Sequence, residues 1–194
     1  MNTSKAYHHG NLREDLVDAA LAATDRDGAV PSLRAVATLA GVSHNAPYRH
    51  FDNHADLLGH VAARCFSGLS KAIKAATDAH DEPIGRARAG LTAYIRYGLQ
   101  HPARYQLMFG DTSPLASHEA VKGAGAQAFE SLVSAARGFG ADDPYPIAFR
   151  VFVMLHGAVD LLRSKFYPPG VGDDDDFLLE QIVDSALNML RGRV

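Results

Sequence analysis

Apolar residues recur every three to four positions along nearly the whole chain, and this spacing constrains the fold more than any other feature. It is the repeat of amphipathic helices, and no segment shows the strict alternation of a half-buried strand. The patterns predict nine helices: three short ones, a long fourth helix from Asn53 to about His80, and five more. The sequence therefore predicts an all-α protein, in which a long connector helix joins a compact N-terminal three-helix domain to a larger helical bundle.

The segment from Ser32 to Phe51 reads SLRAVATLAGVSHNAPYRHF and has the pattern of a helix-turn-helix. Such a motif joins two short helices across a tight turn that usually contains a glycine, and Gly41 lies between the two apolar patterns. Ser43 is placed to cap the second helix, so His44 and Asn45 are expected in its first turn. Side chains at that position enter the major groove of DNA.

The charge of the chain gives this interpretation only local support. The net charge is −3, and the first 60 residues carry five basic and seven acidic side chains. Between Gly28 and Phe51, however, there is no acidic residue, while Arg34 and Arg49 lie in that window. A surface that faces phosphates needs a local absence of carboxylates more than it needs a high overall pI.

The order and spacing of these residues resemble the Tet-repressor (TetR) family of regulators. The match is dense over the N-terminal region, at Gly10-Asn11-Leu12-Arg13, Ser32-Leu33-Arg34, Ala40-Gly41-Val42-Ser43, Pro47-Tyr48-Arg49-His50-Phe51 and Leu57-Leu58. A looser match follows at His101-Pro102-Ala103-Arg104-Tyr105, Met108-Phe109 and Leu155-His156-Gly157. It is similar to a C-terminal ligand domain of the LHG/WHG-like type. The resemblance implies a ligand-responsive transcriptional repressor that binds a palindromic operator.

The resemblance also implies which residues contact double-stranded DNA. Tyr48 is similar to a tyrosine that reaches a phosphate, and His44, Asn45 and Ala46 stand at positions that face base edges. At His54 the family often has a lysine that touches phosphate, so phosphate binding there is expected to depend on pH. The complete set, with two serines placed for capping or phosphate contacts, is Ser32, Arg34, Ser43, His44, Asn45, Ala46, Tyr48, Arg49 and His54.

The predicted organisation is a flexible arm over residues 1–10, a DNA-binding domain over 11–55 and a ligand-binding and dimerisation domain over 56–194. A small DNA-binding domain reads only a few base pairs, and two copies related by a two-fold axis read a palindrome. We expect a homodimer formed by the last two helices, because the final helix is apolar on two sides: Leu178, Ile182 and Leu190 around Leu179, Val183 and Leu187. The alternative is that this helix is fully buried within one chain.

Aromatic residues concentrate in the C-terminal part and predict a ligand pocket. Pockets for small molecules are mostly apolar and contain few polar groups. No lysine or arginine is expected to point inward, so the predicted effector is uncharged or weakly polar and largely apolar. The alternative is that the aromatic side chains only fill a core. The expected lining is Phe66, Tyr94, Tyr105, Phe109, Phe129, Phe152 and His156.

The sequence offers little support for an enzyme, a cofactor or a metal site. Among ten histidines, His50 and His54 have a helical spacing, but Asn53 begins a new helix between them and no acid or cysteine completes a four-ligand set. No nucleophile with a matching base was found. The single cysteine, Cys65, lies on an apolar helix face and is interpreted as a small buried hydrophobic residue, with a redox sensor as the alternative.

The location expected from the sequence is the cytoplasm. The N-terminus has no apolar signal core, and one cysteine cannot form an intramolecular disulfide. The apolar stretch from Ala148 to Leu162 is interrupted by Arg150 and Asp160, so no membrane span is predicted. A different class of function stays open: a helical bundle that binds a small molecule and has no DNA role, as the acidic balance of the N-terminal domain suggests.

Overall fold

The computed structural model describes residues 11–110 and 118–192, and these ranges contain helices and no strand. The α-helices are α1 (Leu12–Asp27), α2 (Leu33–Leu39), α3 (His54–Asp78), α4 (Pro83–Gln100), α5 (Pro102–Phe109), α6 (Glu119–Gly138), α7 (Pro144–Ser164) and α8 (Asp175–Leu190). A short 3-10 helix covers Pro47–Arg49. The predicted all-α fold with a long connector helix is confirmed, and the predicted arm at residues 1–10 lies outside the described residues.

Capping residues fix the boundaries of the first helices. The Ser32 side chain accepts a hydrogen bond from the Ala35 N–H at 3.3 Å and so begins α2. The Asn53 side chain accepts one from the Asp56 N–H at 3.0 Å and begins α3. Gly28 ends α1 with a φ of 80°, a left-handed conformation that costs glycine little.

The second helix of the helix-turn-helix is shorter than predicted. Residues 43–46 form a turn in which the Ala46 N–H donates to the Ser43 carbonyl at 2.9 Å, and helical structure is limited to Pro47–Arg49. An α-helix beginning at Ser43 needs a hydrogen bond from the N–H of residue 47 to the Ser43 carbonyl. Proline has no N–H, so the expected α-helix cannot form there.

One hydrophobic core extends through the described residues, and α3 is its central element. Near its start α3 packs against α1, where Leu57 and Val61 are fully buried beside Leu16. Further along, Cys65 and Leu69 face α4, α5 and α6. One helix therefore contacts both parts of the chain.

Two sides of α7 are apolar. Ala148, Val151, Leu155 and Val159 are buried in the core, while Tyr145, Phe149, Val153 and Leu161 are each 49–59% exposed. By length and composition alone, with a hydropathy of 1.4, this helix could cross a membrane, so its polar residues do not by themselves exclude a span. The exposed residues Tyr145, Phe149, Val153 and Leu161 are here called the α7 stripe. The core face and this stripe together account for the apolar residues of α7.

Candidate DNA-binding surface and ligand cavity

Eight of the nine residues predicted to contact DNA are exposed on the N-terminal domain. Tyr48 is 55% exposed, and the other members are exposed except Ala46, which is half-buried. The turn between α2 and the 3-10 helix is closed by the Val42 N–H, which donates to the Ala37 carbonyl at 2.9 Å, with Gly41 at a φ of 68°. Tyr48 therefore projects outward from a turn whose backbone is tightly closed.

Phe51 supports this surface from beneath. Its side chain is 2% exposed, the guanidinium carbon of Arg13 lies 5.8 Å from its ring centroid, and the His60 ring lies at 5.7 Å. The Phe51 ring therefore packs the segment that carries Tyr48 against both α1 and α3.

His54 is exposed at the first position of α3 and has a partner within the chain. Its Nε2 atom lies 3.1 Å from the Pro31 carbonyl oxygen, and a carbonyl only accepts, so Nε2 carries the proton. In the neutral ring Nδ1 is then an acceptor and has no proton to offer a phosphate. The ring instead joins the start of α3 to the residue that precedes the N-cap of α2.

The structure brings all seven predicted ligand residues into one aromatic cluster. Phe109 is central: its ring centroid lies 5.2 Å from Phe66, 4.9 Å from Tyr105 and 4.3 Å from His156. Phe152 lies 4.0 Å from His156 and 5.7 Å from Phe129. The Tyr94 ring completes the cluster at 5.7 Å from His156.

A cavity of about 990 Å³ adjoins this cluster between α3, α4, α6 and α7. Known small-molecule pockets measure roughly 300–1,000 Å³, so the space is large for one ligand. Tyr105 and His156 do not line the cavity and lie behind its wall. Five of the seven predicted residues do line it: Phe66, Tyr94, Phe109, Phe129 and Phe152.

The cavity also has a charged rim, which the sequence analysis missed. Lys74, Asp78 and Arg86 are among its lining residues, so two cations border the cavity, although no lysine or arginine was expected to point into it. Lys74 Nζ lies 2.6 Å from an Asp78 carboxylate oxygen, and Arg86 Nη2 lies 3.7 Å from the other. The end of α3 meets the start of α4 here, a contact that helical periodicity does not reveal.

His156 and Tyr94 form an uncharged polar pair at the back of the cluster. The Tyr94 hydroxyl lies 2.9 Å from His156 Nδ1, and Nδ1 lies 3.0 Å from the Phe152 carbonyl, to which it donates. Burial lowers the pKa of His156, although the hydrogen bond to Phe152 and the Asp160 charge oppose this shift. Burial also raises the pKa of Tyr94, so both groups are neutral near pH 7.

The short helix α5 connects the cluster to the N-terminal domain. Tyr105 and Phe109 pack within the cluster, whereas the neighbouring Arg104 binds Asp25 on α1 at 2.5 and 2.7 Å. Arg104 is part of the looser family motif, but its partner Asp25, 79 residues away, could not be predicted from the sequence. The helix thus contacts the cavity on one side and α1 on the other.

Residues 87–186 match the family model of the tetracyclin repressor-like C-terminal domain, slightly more than half of the chain. The chain belongs to the tetracyclin repressor-like family. No curated protein sequence matches the chain. The LHG/WHG-like subtype of the ligand domain stays a prediction.

Solved structures with the same fold extend this family likeness over nearly the whole chain. A protein of unknown function from Rhodococcus sp. RHA1 has a TM-score of 0.77 and 28% identity, covering 97% of this chain and 98% of that one. A putative TetR-family transcriptional regulator from Mesorhizobium loti has a TM-score of 0.69 and 19% identity, covering 92% and 94%. The TetR-like regulator LfrR from Mycobacterium smegmatis, in complex with proflavine, has a TM-score of 0.60 and 15% identity, covering 94% and 96%.

Proposed function

We propose that the protein is a transcriptional repressor that leaves a palindromic operator when a small, largely apolar molecule enters the cavity. One observation carries this proposal: α5 supplies Phe109 to the cavity wall and Arg104 to the ion pair with Asp25 on α1. A ligand that displaces Phe109 therefore shifts the helix that holds α1. Because α1 packs under the helix-turn-helix, the orientation of the DNA-binding surface depends on what fills the cavity.

DNA contact is assigned to the exposed residues around the 3-10 helix. Tyr48, Arg34 and Arg49 supply hydroxyl and guanidinium donors for phosphates, and no carboxylate lies between residues 28 and 51. His44 and Asn45 precede the 3-10 helix in an exposed turn, where they reach base edges. Ser32, Ser43, Ala46 and His54 complete the proposed surface.

The effector is proposed to have an apolar body and a polar end. The aromatic and aliphatic lining takes up the body, with Phe66 contributed by α3 and Phe129 by α6. At the rim, Lys74 and Arg86 already share the Asp78 carboxylate, so a hydrogen-bonding group fits there more readily than a free carboxylate. LfrR, a protein of this fold, was solved with the small molecule proflavine.

Pairing of two copies is proposed through the last two helices, with α7 as the main contact. On α8, Leu179, Val183, Leu187 and Leu190 are buried within one chain, whereas Leu178 and Ile182 are half-buried. The α7 stripe is exposed, and its residues follow one another at spacings of four or eight positions on the side of the helix away from the core. A two-fold contact uses the same stripe on both copies.

The proposal is tested by DNA and ligand binding in the same protein. Fluorescence anisotropy with DNA from the upstream region of its own gene, at low salt, is expected to give saturable binding by a dimer. A thermal-shift screen of hydrophobic compounds identifies a ligand, which should weaken operator binding by the same factor by which operator weakens ligand binding. Ligand binding without DNA binding at low salt would favour the small-molecule binding protein, which the seven acids against five bases in the first 60 residues already suggest.

A further inference from the structure

Three metal-ligating side chains meet outside the cavity, where the start of α3 faces the start of α6. Asp56 and His60 lie one turn apart in α3, and His118 immediately precedes α6. His118 Nε2 lies 3.0 Å from Asp56 Oδ1, and His60 Nε2 lies 3.4 Å from the same oxygen. One ligand atom of each residue lies within 4.8 Å of the other two. We propose that Asp56, His60 and His118 bind one divalent transition-metal ion of the Zn²⁺ type.

The donor set determines which ions fit. Two imidazole nitrogens and one carboxylate oxygen suit Zn²⁺, Co²⁺ and Ni²⁺, whereas Mg²⁺ and Ca²⁺ prefer oxygen ligands alone. Three protein ligands leave a coordination position that water fills. The side chains are 20–24% exposed, so the site is shielded yet open to an entering ion.

Gly59 is the reason that the His118 ring can lie against α3. A Cβ atom at this position would lie 2.5 Å from His118 Nε2, far inside van der Waals contact. A side chain at this position would therefore push the ring out of the cluster. The Asp56 carboxylate only accepts, so His118 Nε2 carries the proton in the metal-free cluster. The Nδ1 atom of His118 is buried without a hydrogen-bond partner among the described residues, so it is the atom that takes this proton when Nε2 coordinates.

The protonation states of the α3 ligands favour metal binding. Arg13 Nη2 lies 2.5 Å from His60 Nε2, and because arginine only donates, that nitrogen presents a lone pair. Burial, together with the Arg13 charge, lowers the pKa of His60. Burial opposes ionisation of Asp56, but the hydrogen bonds from His118 and the Asp52 N–H help lower its pKa. The neutral imidazole and the carboxylate are the forms that coordinate.

Two adjustments accompany binding. Zn–N bonds of about 2.0–2.1 Å place two tetrahedral ligands about 3.4 Å apart, so the widest separation of 4.8 Å must shorten. Arg13 must also leave the His60 nitrogen, since its cation occupies the lone pair and repels the incoming ion. The departure of Arg13 distinguishes a metal site from a cluster that is held together only by hydrogen bonds. If the three side chains bind an ion, removal of Arg13 should make that binding tighter.

The test is a Co²⁺ and Zn²⁺ titration of untagged, full-length protein after dialysis against EDTA. Visible Co²⁺ absorption and calorimetry are expected to give one ion per chain. His118→Ala and His60→Ala should each weaken binding by at least about ten-fold. His118 makes no side-chain cap bond, so its loss leaves the helix start intact, and a circular dichroism melt in EDTA checks the fold of each variant.

Matched variants identify the site that holds the ion. Arg13→Gln should tighten binding, whereas Arg26→Gln, a change on the same helix that is remote from the cluster, should leave it unchanged. His80→Ala should also leave binding unchanged, because His80 lies outside the cluster. The double change His8→Ala with His9→Ala should leave it unchanged as well, because the proposed site uses neither residue. The proposal is overturned by the absence of saturable binding, by binding that is lost with His8 and His9, or by unchanged affinity in His118→Ala.

Discussion

Arg104 donates two parallel hydrogen bonds to Asp25, one from Nε to Oδ1 at 2.7 Å and one from Nη2 to Oδ2 at 2.5 Å. The hydrogen bond and charge of Arg104 lower the pKa of Asp25 against the opposing effect of burial. The side chains are 20% and 35% exposed, so solvent screens the pair only in part. Two-point contact fixes orientation as well as distance, and α5 therefore cannot rotate without moving α1.

Asp25→Ala is expected to uncouple the cavity from DNA. Ligand affinity should change little, while the coupling between ligand and operator, typically about 1–3 kcal/mol, should fall toward zero. Stability should drop by about 1 kcal/mol, as is usual for a partly exposed ion pair. Anisotropy titrations with and without ligand measure the coupling. Asp27→Ala is the control, because that carboxylate pairs only with the adjacent Arg26; an equal loss of coupling there would count against the α5 route.

Tyr48→Phe is expected to weaken binding to every DNA sequence by a similar factor, because phosphate contacts position the protein without reading bases. Asn45→Ala should instead change the preferred base at one position, at a cost of about 1–3 kcal/mol for a good contact. Competition binding with single-base operator variants separates the two effects. If Tyr48→Phe altered base preference while Asn45→Ala did not, the assignment of the two residues would be reversed.

Val153→Glu and Leu161→Glu are expected to convert a dimer to a monomer. Both side chains are exposed in the single chain, so the substitutions place carboxylates in a contact between copies without disturbing the core. Sedimentation velocity at micromolar concentration measures the change, and unaltered melting of the monomeric variant shows that the chain stays folded. Lys71→Glu, an exposed charge reversal on α3 and not on α7, is the control. Wild-type protein that sediments as a monomer would contradict the proposed pairing.

His156 is expected to make the protein less stable in mild acid. Because burial lowers its pKa below the ordinary value of 6.5, the unfolded chain binds more protons than the folded one. Its contribution to stability is therefore complete above pH 6.5 and is lost as the pH falls from there toward the folded-state pKa. Urea unfolding at a series of pH values measures this slope, which His156→Gln should reduce. An equal slope in the variant would assign the effect to other histidines.

Cys65 is expected to be inert toward thiol reagents in the folded protein. The residue is fully buried, and burial raises the pKa of its thiol to about 12, which leaves almost no thiolate at neutral pH. A disulfide reagent such as DTNB should react only after denaturation. Rapid reaction of native protein would restore the redox-sensor alternative.

Local chemistry in the sequence was sufficient to predict the helices. Ser32, Asn53 and Gly28 mark helix ends because their own atoms satisfy the terminal backbone groups, whatever the rest of the chain does. The third helix was predicted too long because Pro47 was expected to be tolerated close to the helix start, whereas its missing N–H removes a backbone hydrogen bond there.

Contacts distant in sequence were predicted only where a shared chemistry suggested them. The seven residues predicted to bind the ligand were grouped because they are nearly all aromatic, and the structure brings them into one cluster, of which five line the cavity. Asp56 and His118 are 62 residues apart, and Asp25 and Arg104 are 79 apart. Whether these polar residues meet depends on how α3 packs against α6 and how α1 packs against α5. Helical periodicity indicates which face of a helix is buried but not which helix covers that face.

Phe149 belongs to two surfaces at once. It is 59% exposed on the α7 stripe, it lines the cavity, and it stacks on Phe152 at 6.5 Å. In a pair of chains joined along that stripe, the second copy covers a side chain that also forms the cavity wall. Dimer formation and effector binding are then thermodynamically linked, so the apparent dissociation constant of the effector varies with protein concentration.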